Sequence, residues 1–105
     1  MNVGFIGLGN IGKPMAMNVV NAGHVTKVHD VSPKAATDLL EAGAVWAETP
    51  ADAARGSDVV LGSLPGPLEV EAVVSGEQGV LDGAAAGAVY IDLATNSPSM
   101  VRKLH

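Results

Sequence analysis

Ten residues near the N-terminus, Val3-Gly4-Phe5-Ile6-Gly7-Leu8-Gly9-Asn10-Ile11-Gly12, constrain this chain more than any others. A short apolar run ends in Gly7-x-Gly9-x-x-Gly12, and a helical pattern starts at once. That is the layout of a dinucleotide-binding turn, in which each glycine has its own physical reason. Gly7 permits the tight turn out of a strand. Gly9, without a side chain, lets a pyrophosphate approach the backbone. Gly12 lets the following helix pack closely on the sheet. The helix start then aims unpaired N–H groups and a positive dipole end at the phosphates. Glycine-rich turns are common, so the pattern gains its meaning from its place between strand and helix and from an acid downstream.

That acid is Asp30, eighteen residues beyond Gly12 at the end of a second apolar run. A carboxylate there accepts hydrogen bonds from both ribose hydroxyls of NAD. It would repel the 2′-phosphate of NADP, and Val31 and Ser32 follow it rather than an arginine. Two unit charges about 4 Å apart at an effective dielectric near 20 repel by roughly 4 kcal/mol before screening. The alternative is that Asp30 is a turn residue beside Ser32-Pro33. The cofactor expected is therefore NAD, with NADP less favoured.

The remaining chain alternates strand and helix patterns. Asn2 to Ile6 reads as a buried strand, and residues 10–22 as a helix with Ile11, Met15, Val19 and Ala22 on its inner face and Pro14 in its first turn. Gly23 ends that helix, and Val25 to Asp30 is the second strand. Ser32 caps a helix from Pro33 that turns Ala36, Leu39 and Leu40 inward and stops at Gly43. A brief third strand covers Ala44 to Ala47. Thr49-Pro50-Ala51-Asp52 supplies an N-cap, an N1 proline and a capping-box acid for a helix ending near Gly56.

Asp58 to Leu64 is the fourth strand. A helix is expected from Leu68 to Val74, then a glycine-rich connection from Gly76 to Gly83, a fifth strand from Ala88 to Leu93, and a last helix capped by Ser97-Pro98. Strands apolar on both faces, alternating with helices, predict an α/β fold: a doubly wound, three-layer parallel sheet of Rossmann type in the order 3-2-1-4-5. All 105 residues fall in one domain, with no repeat or linker. An apolar fraction of 48% is enough for a packed core, but aromatics at 3% leave that core to Val, Leu, Ile, Ala and Met. The net charge of −5 argues against nucleic acid or an anionic membrane as partner, and the absence of cysteine excludes disulfides and thiolate metal sites. No apolar run is long enough to span a membrane, and a cytoplasmic protein is expected.

Few other residues carry chemistry by spacing alone. Leu64-Pro65 ends strand four at the cofactor edge of the sheet, where a strand-terminating proline is the simpler reading. Thr95-Asn96 follows strand five on that edge, either facing the nicotinamide or forming a loop before the helix. His24 falls at the opposite edge, His29 within a strand, and His105 at the terminus, so none is expected to act. No metal-ligand spacing, GxSxG or GKS/T motif is present.

Residues Gly4 through Asn18, then Ala22-Gly23-His24, Val28-His29-Asp30-Val31-Ser32-Pro33, Leu64-Pro65, Gly76-Glu77-Gln78-Gly79-Val80-Leu81 and Asp92-Leu93-Ala94-Thr95-Asn96-Ser97-Pro98, resemble the β-hydroxyacid dehydrogenases. The 3-hydroxyisobutyrate dehydrogenases and tartronate semialdehyde reductases belong to that family. The resemblance covers essentially the whole chain. It implies cofactor contacts from Gly7, Leu8, Gly9, Asn10, Ile11 and Gly12, from Asp30, Val31 and Ser32, and from Leu64, Pro65 and Thr95.

Ala94 stands where the family has a serine associated with substrate, a departure that matters, while Ile11 in place of the usual methionine is a minor change. The family's glycine-glycine substrate loop, its acid/base lysine and its helical C-terminal domain have no counterpart in these residues. The chain is thus expected to be the NAD-binding half of a 3-hydroxyacid dehydrogenase, excised or truncated and inactive alone, meeting its substrate only with the missing domain. A free-standing nucleotide-binding or redox-sensing module is the alternative, and a methyltransferase-like fold binding S-adenosylmethionine a more distant one. Self-association is expected through strand five, an apolar edge containing Val89, Tyr90 and Ile91.

Overall fold

The computed structural model describes residues 1–9, 12–64, 73, 76, 78–84, 87–92 and 100–103. Its strands are β1 (Asn2–Ile6), β2 (Val25–His29), β3 (Val45–Trp46), β4 (Val59–Gly62), β5 (Val89–Asp92) and β6 (Met100–Lys103). They form one sheet in the order β3-β2-β1-β4-β5-β6. The first five are parallel, as the alternating pattern predicts, with Phe5 level with Val28 on one side and Leu61 on the other. The chain crosses from one half of the sheet to the other between β3 and β4, so the switch point lies at β1 and β4.

Helices lie on both faces because neighbouring residues of β1 point opposite ways. Phe5 joins Leu8, Ala16, Val28, Ala36, Leu39 and Ala44 in the core beneath α1 (Gly12–Asn21), the 3-10 turn Pro33–Ala36 and α2 (Thr37–Glu41). Ile6 joins Ala47, Ala53, Ala54, Val60, Val80 and Tyr90 beneath α3 (Pro50–Ala54) and α4 (Val80–Gly83). These are the three expected layers. Small residues bring α3 close to β1: a Cβ on Gly4 would lie 2.4 Å from the carbonyl oxygen of Ala53. Two hydroxyls buried in this packing are satisfied locally, Thr26 Oγ1 donating to His24 O at 3.0 Å and Ser57 Oγ to Ala53 O at 2.7 Å.

The structure corrects several local expectations. In α1 the buried residues are Gly12 and Ala16, with Met17 and Val20 against the core, while Met15 is exposed. The helix sits so close to the sheet that glycine and alanine fit beneath it, which rotates the longer Met15 outward. Leu40 is likewise exposed while Ala36 and Leu39 are fully buried. Ser32 occupies the N-cap position, but its side chain makes no capping bond. Its carbonyl instead accepts Ala35 N–H at 3.1 Å, so the segment opens as a 3-10 turn.

Thr49 does cap α3, its Oγ1 accepting Asp52 N–H at 3.1 Å. The Asp52 carboxylate pairs with Arg55 rather than reaching back, so the capping box is half formed. Within the expected glycine-rich connection, Val80–Gly83 forms a helical turn. Gln78, at φ 58, accepts Ala51 N–H at 2.9 Å through its carbonyl and donates its own N–H to Asp82 Oδ2 at 2.9 Å.

The last difference is the largest. In place of a final helix, Met100–Lys103 forms β6, antiparallel to β5, with Asp92 level with Met100 and Val89 with Lys103. An unpaired strand edge exposes a row of backbone donors and acceptors, and pairing with β6 satisfies them. β5 is therefore an inner strand, and the ground for expecting self-association through it is removed. The expected helix from Leu68 to Val74 and the Ser97-Pro98 cap lie outside the described residues, apart from Val73.

Candidate functional site

The glycine-rich turn leaves the C-terminal end of β1, and its three glycines meet different surroundings. Gly7 has φ +92, a conformation that disfavours any side chain, and a Cβ there would fall 2.2 Å from Ser63 O. A Cβ on Gly12 would fall 2.1 Å from Gly7 O and 3.0 Å from Ser63 Cβ. On Gly9 a Cβ would meet nothing within 4 Å. Two glycines are thus required by the protein's own packing, while the middle one opens outward. Gly9 O accepts Lys13 N–H at 3.0 Å, the first hydrogen bond of α1, so the open glycine lies at the helix entrance. N–H groups of the first helical turn have no partner within the helix, which makes that entrance a place for anionic oxygen.

Asp30 follows β2 on the same edge of the sheet. Gly7 N–H donates to His29 O at 2.9 Å, extending the β1–β2 ladder by one bond. The next N–H, from Leu8, donates to Asp30 Oδ2 at 2.7 Å, and Ser32 N–H donates to Asp30 Oδ1 at 2.9 Å. The turn-residue reading of Asp30 is therefore part of its role, through Ser32. The bond to Leu8 spans 22 positions of sequence and leaves no local signal. Each carboxylate oxygen accepts more than one bond, so capacity for hydroxyl donors remains. Val31 projects almost wholly into solvent, 97% exposed, and Ser32 is exposed beside it.

Leu64 lies half-buried at the end of the β4 segment, packed against the core that contains Ile6 and Val60, with Cδ2 3.2 Å from where a Gly7 Cβ would stand. Among the described residues, Gly7, Leu8 and Gly9, Asp30 with Val31 and Ser32, and Leu64 all follow the C-terminal ends of β1, β2 and β4, and Gly12 opens α1. Asn10, Ile11, Pro65 and Thr95 lie outside the described residues. Sequence reasoning misses Ser63, whose backbone and Cβ set the limits on Gly7 and Gly12. Its position directly after β4, the strand predicted to lie beside β1, is the one signal that points to it.

Among the described residues, His24 lies away from the glycine turn, and His29 reaches it through its backbone carbonyl, which accepts Gly7 N–H. His24 precedes β2 at the other end of the sheet. His29 ends β2, where its Nδ1 lies 2.8 Å from Ala47 O and its ring 5.6 Å from that of Trp46. Lys13 pairs with Asp38 at 3.1 Å, and Lys27 Nζ donates to Arg55 O at 2.6 Å. Among the described residues no group of three or more His, Asp or Glu could hold a metal ion, and no helix is long and apolar enough to cross a membrane.

The open space over Gly9 at the start of α1 fits a nucleotide's pyrophosphate. Residues 2–105 match the family model described as the NAD binding domain of 6-phosphogluconate dehydrogenase. The chain is 39% identical over 103 residues to 3-hydroxyisobutyrate dehydrogenase of Pseudomonas aeruginosa, covering 98% of this chain and 35% of that protein. Among solved structures, 3-hydroxyisobutyrate dehydrogenase of Mycobacterium tuberculosis with L-serine superposes with a TM-score of 0.76 at 35% identity, covering 90% of this chain and 31% of that one. Psf3 in complex with NADP+ and 2-OPP superposes with a TM-score of 0.80 at 31% identity, covering 89% of this chain and 33% of that one. The chain spans about a third of the length of these proteins. It belongs to the family of NAD-binding domains represented by that of 6-phosphogluconate dehydrogenase, and it is homologous to the cofactor domain of the 3-hydroxyisobutyrate dehydrogenases.

Proposed function

We propose that this domain binds NAD, in preference to NADP, for a dehydrogenase that transfers hydride to or from a small 3-hydroxy acid. The observation that carries the reading is the contrast among the three glycines of the turn: Gly7 is hemmed in by Ser63 O, Gly12 by Gly7 O and Ser63 Cβ, and Gly9 between them faces open space. A pyrophosphate fits over Gly9 at the entrance of α1, within the turn formed by Gly7, Leu8, Gly9, Asn10, Ile11 and Gly12. Asp30 would accept the adenosine ribose hydroxyls, flanked by Val31 and Ser32. By the resemblance, Leu64, Pro65 and Thr95 would line the cofactor site. When bound, the cofactor supplies hydride transfer, and the domain supplies its position and orientation. The hydroxy-acid substrate is proposed from the named activity of the relatives, and a cytoplasmic setting is part of the same reading.

The choice of NAD rests on Asp30. A similar protein holds NADP+, so the fold accommodates either dinucleotide and the local charge must discriminate. A 2′-phosphate beside a carboxylate held by Leu8 and Ser32 meets a repulsion of roughly 4 kcal/mol before screening. Calorimetric titration with NADH and NADPH tests this, and at least about tenfold tighter binding of NADH is expected once salt screening is included. Equal or tighter binding of NADPH would sink the assignment.

A nucleotide-binding module without turnover of its own is the second reading, and the placement of basic side chains favours it for the isolated chain. Lys13 is paired with Asp38, Lys27 with the end of α3, and Lys34 lies exposed on the turn after Asp30. The His29 ring is held at Ala47 O. None of these is poised as a general base beside the glycine turn.

A further inference from the structure

We infer that Asp30 is a positioning residue for the glycine-rich turn, setting the turn's shape through Leu8 before any nucleotide arrives. This role is separate from contact with ribose, though its consequence for binding rests on the nucleotide reading above.

The geometry is specific. After Gly7 the β1–β2 ladder ends, and the Leu8 N–H has no further carbonyl of β2 bonded to it. It turns instead to Asp30 Oδ2 at 2.7 Å, a charge-assisted bond at a half-buried position. The second oxygen is held by Ser32 N–H at 2.9 Å, so the carboxylate is pinned from both sides. The Leu8 side chain is 3% exposed and packs with Phe5, Ala16 and Val28. Leu8 is therefore fixed by its side chain from the core and by its N–H from Asp30.

Beyond Leu8 stands Gly9, whose carbonyl starts α1 by accepting Lys13 N–H. Leu8 thus joins Gly7, at φ +92, to Gly9 at the helix entrance. Asp30 anchors that joining residue. Without it the Leu8 donor would lose its acceptor, and Gly9, which has no side chain and is held by its carbonyl bond to Lys13, would gain conformational freedom. A turn already shaped for the pyrophosphate has less ordering to undergo on binding. The same clamp keeps the carboxylate from swinging away when a nucleotide approaches.

The test separates this role from ribose recognition. Amide hydrogen exchange of the ligand-free chain is followed by NMR for the unsubstituted protein, Asp30→Asn and Asp30→Ala. Binding of NADH, and of an NADH analogue whose adenosine ribose lacks both hydroxyls, is then measured by calorimetry. Leu8 N–H is expected to exchange about tenfold faster or more in Asp30→Ala. Asp30→Asn should be intermediate, because its amide offers one acceptor oxygen where the carboxylate has two. If Asp30→Ala does not fold, Asp30→Asn carries the test.

The dideoxy analogue makes no ribose contact with Asp30, yet it is expected to bind the variants about fivefold more weakly than the unsubstituted chain. Unchanged exchange at Leu8 would overturn the inference. So would an analogue that binds variants and unsubstituted chain equally. If the unsubstituted chain binds neither NADH nor the analogue, the NAD reading fails, and exchange at Leu8 alone decides whether Asp30 shapes the turn.

Discussion

Placing a side chain on Gly9 and on Gly12 should have opposite consequences. At Gly9 a Cβ meets nothing within 4 Å, so Gly9→Val displaces no protein atom near its Cβ. Its effect on stability should be about 0.5 kcal/mol or less, as for surface substitutions away from special contacts. The valine would, however, fill the space proposed for the pyrophosphate. Each hydrogen bond to a charged group contributes about 1.5–3 kcal/mol, so moving phosphate away from two donors costs about 3 kcal/mol at the low end. That is more than about a hundredfold in Kd for NADH.

Gly12→Ala is the reverse case. Its Cβ would stand 2.1 Å from Gly7 O, a backbone atom that cannot rotate aside, and 3.0 Å from Ser63 Cβ. Separation of α1 from the sheet is needed to relieve that overlap, at a cost of about 1–3 kcal/mol or more. Urea denaturation gives the stability arm: with an m value of about 1–3 kcal/mol/M, the Gly12→Ala midpoint should fall by roughly 1 M while Gly9→Val stays near the parent. Calorimetry with NADH gives the binding arm. A Gly9→Val protein that binds NADH like the parent, or that loses as much stability as Gly12→Ala, would refute the division of roles among the glycines.

Three further expectations follow from individual contacts. Asp30→Ala should narrow the preference for NADH over NADPH measured by titration, chiefly by strengthening NADPH binding relative to NADH. Thr49→Ala removes the acceptor of Asp52 N–H at the start of α3 and should lower stability in urea by about 0.5–2 kcal/mol; no change would mean that the cap contributes nothing. The purified 105-residue chain, supplied with NAD and 3-hydroxyisobutyrate, glycerate or 4-hydroxybutyrate, should form no NADH above background, because Lys13, Lys27 and the His29 ring are engaged by other groups and a reaction run without a general base is ordinarily slower by about a hundred- to ten-thousand-fold. Measurable turnover would show that some group of this chain does reach the nicotinamide as a base.

Much of this architecture is legible in sequence because it rests on local pattern. The order 3-2-1-4-5 follows from alternating apolar strands and amphipathic helices, since parallel neighbours need helical crossovers of one hand. Thr49-Pro50 announces α3 by chemistry that acts within four residues, and the Gly7-x-Gly9-x-x-Gly12 spacing announces a turn with distinct demands on each glycine. What sequence could not decide involves distance from the sheet and partners far along the chain. Met15 fits an inward stripe by spacing, but the close seat of α1 over Gly12 and Ala16 turns it out. Met100–Lys103 pairs as β6 because the open backbone edge of β5 lies beside it, which no local preference in those residues reveals. Asp30 could be read as an acid at the right spacing from Gly12. That its carboxylate also holds Leu8 depends on β2 lying against β1 in a register that carries Asp30 past the end of β1, and only the folded sheet brings those two residues together.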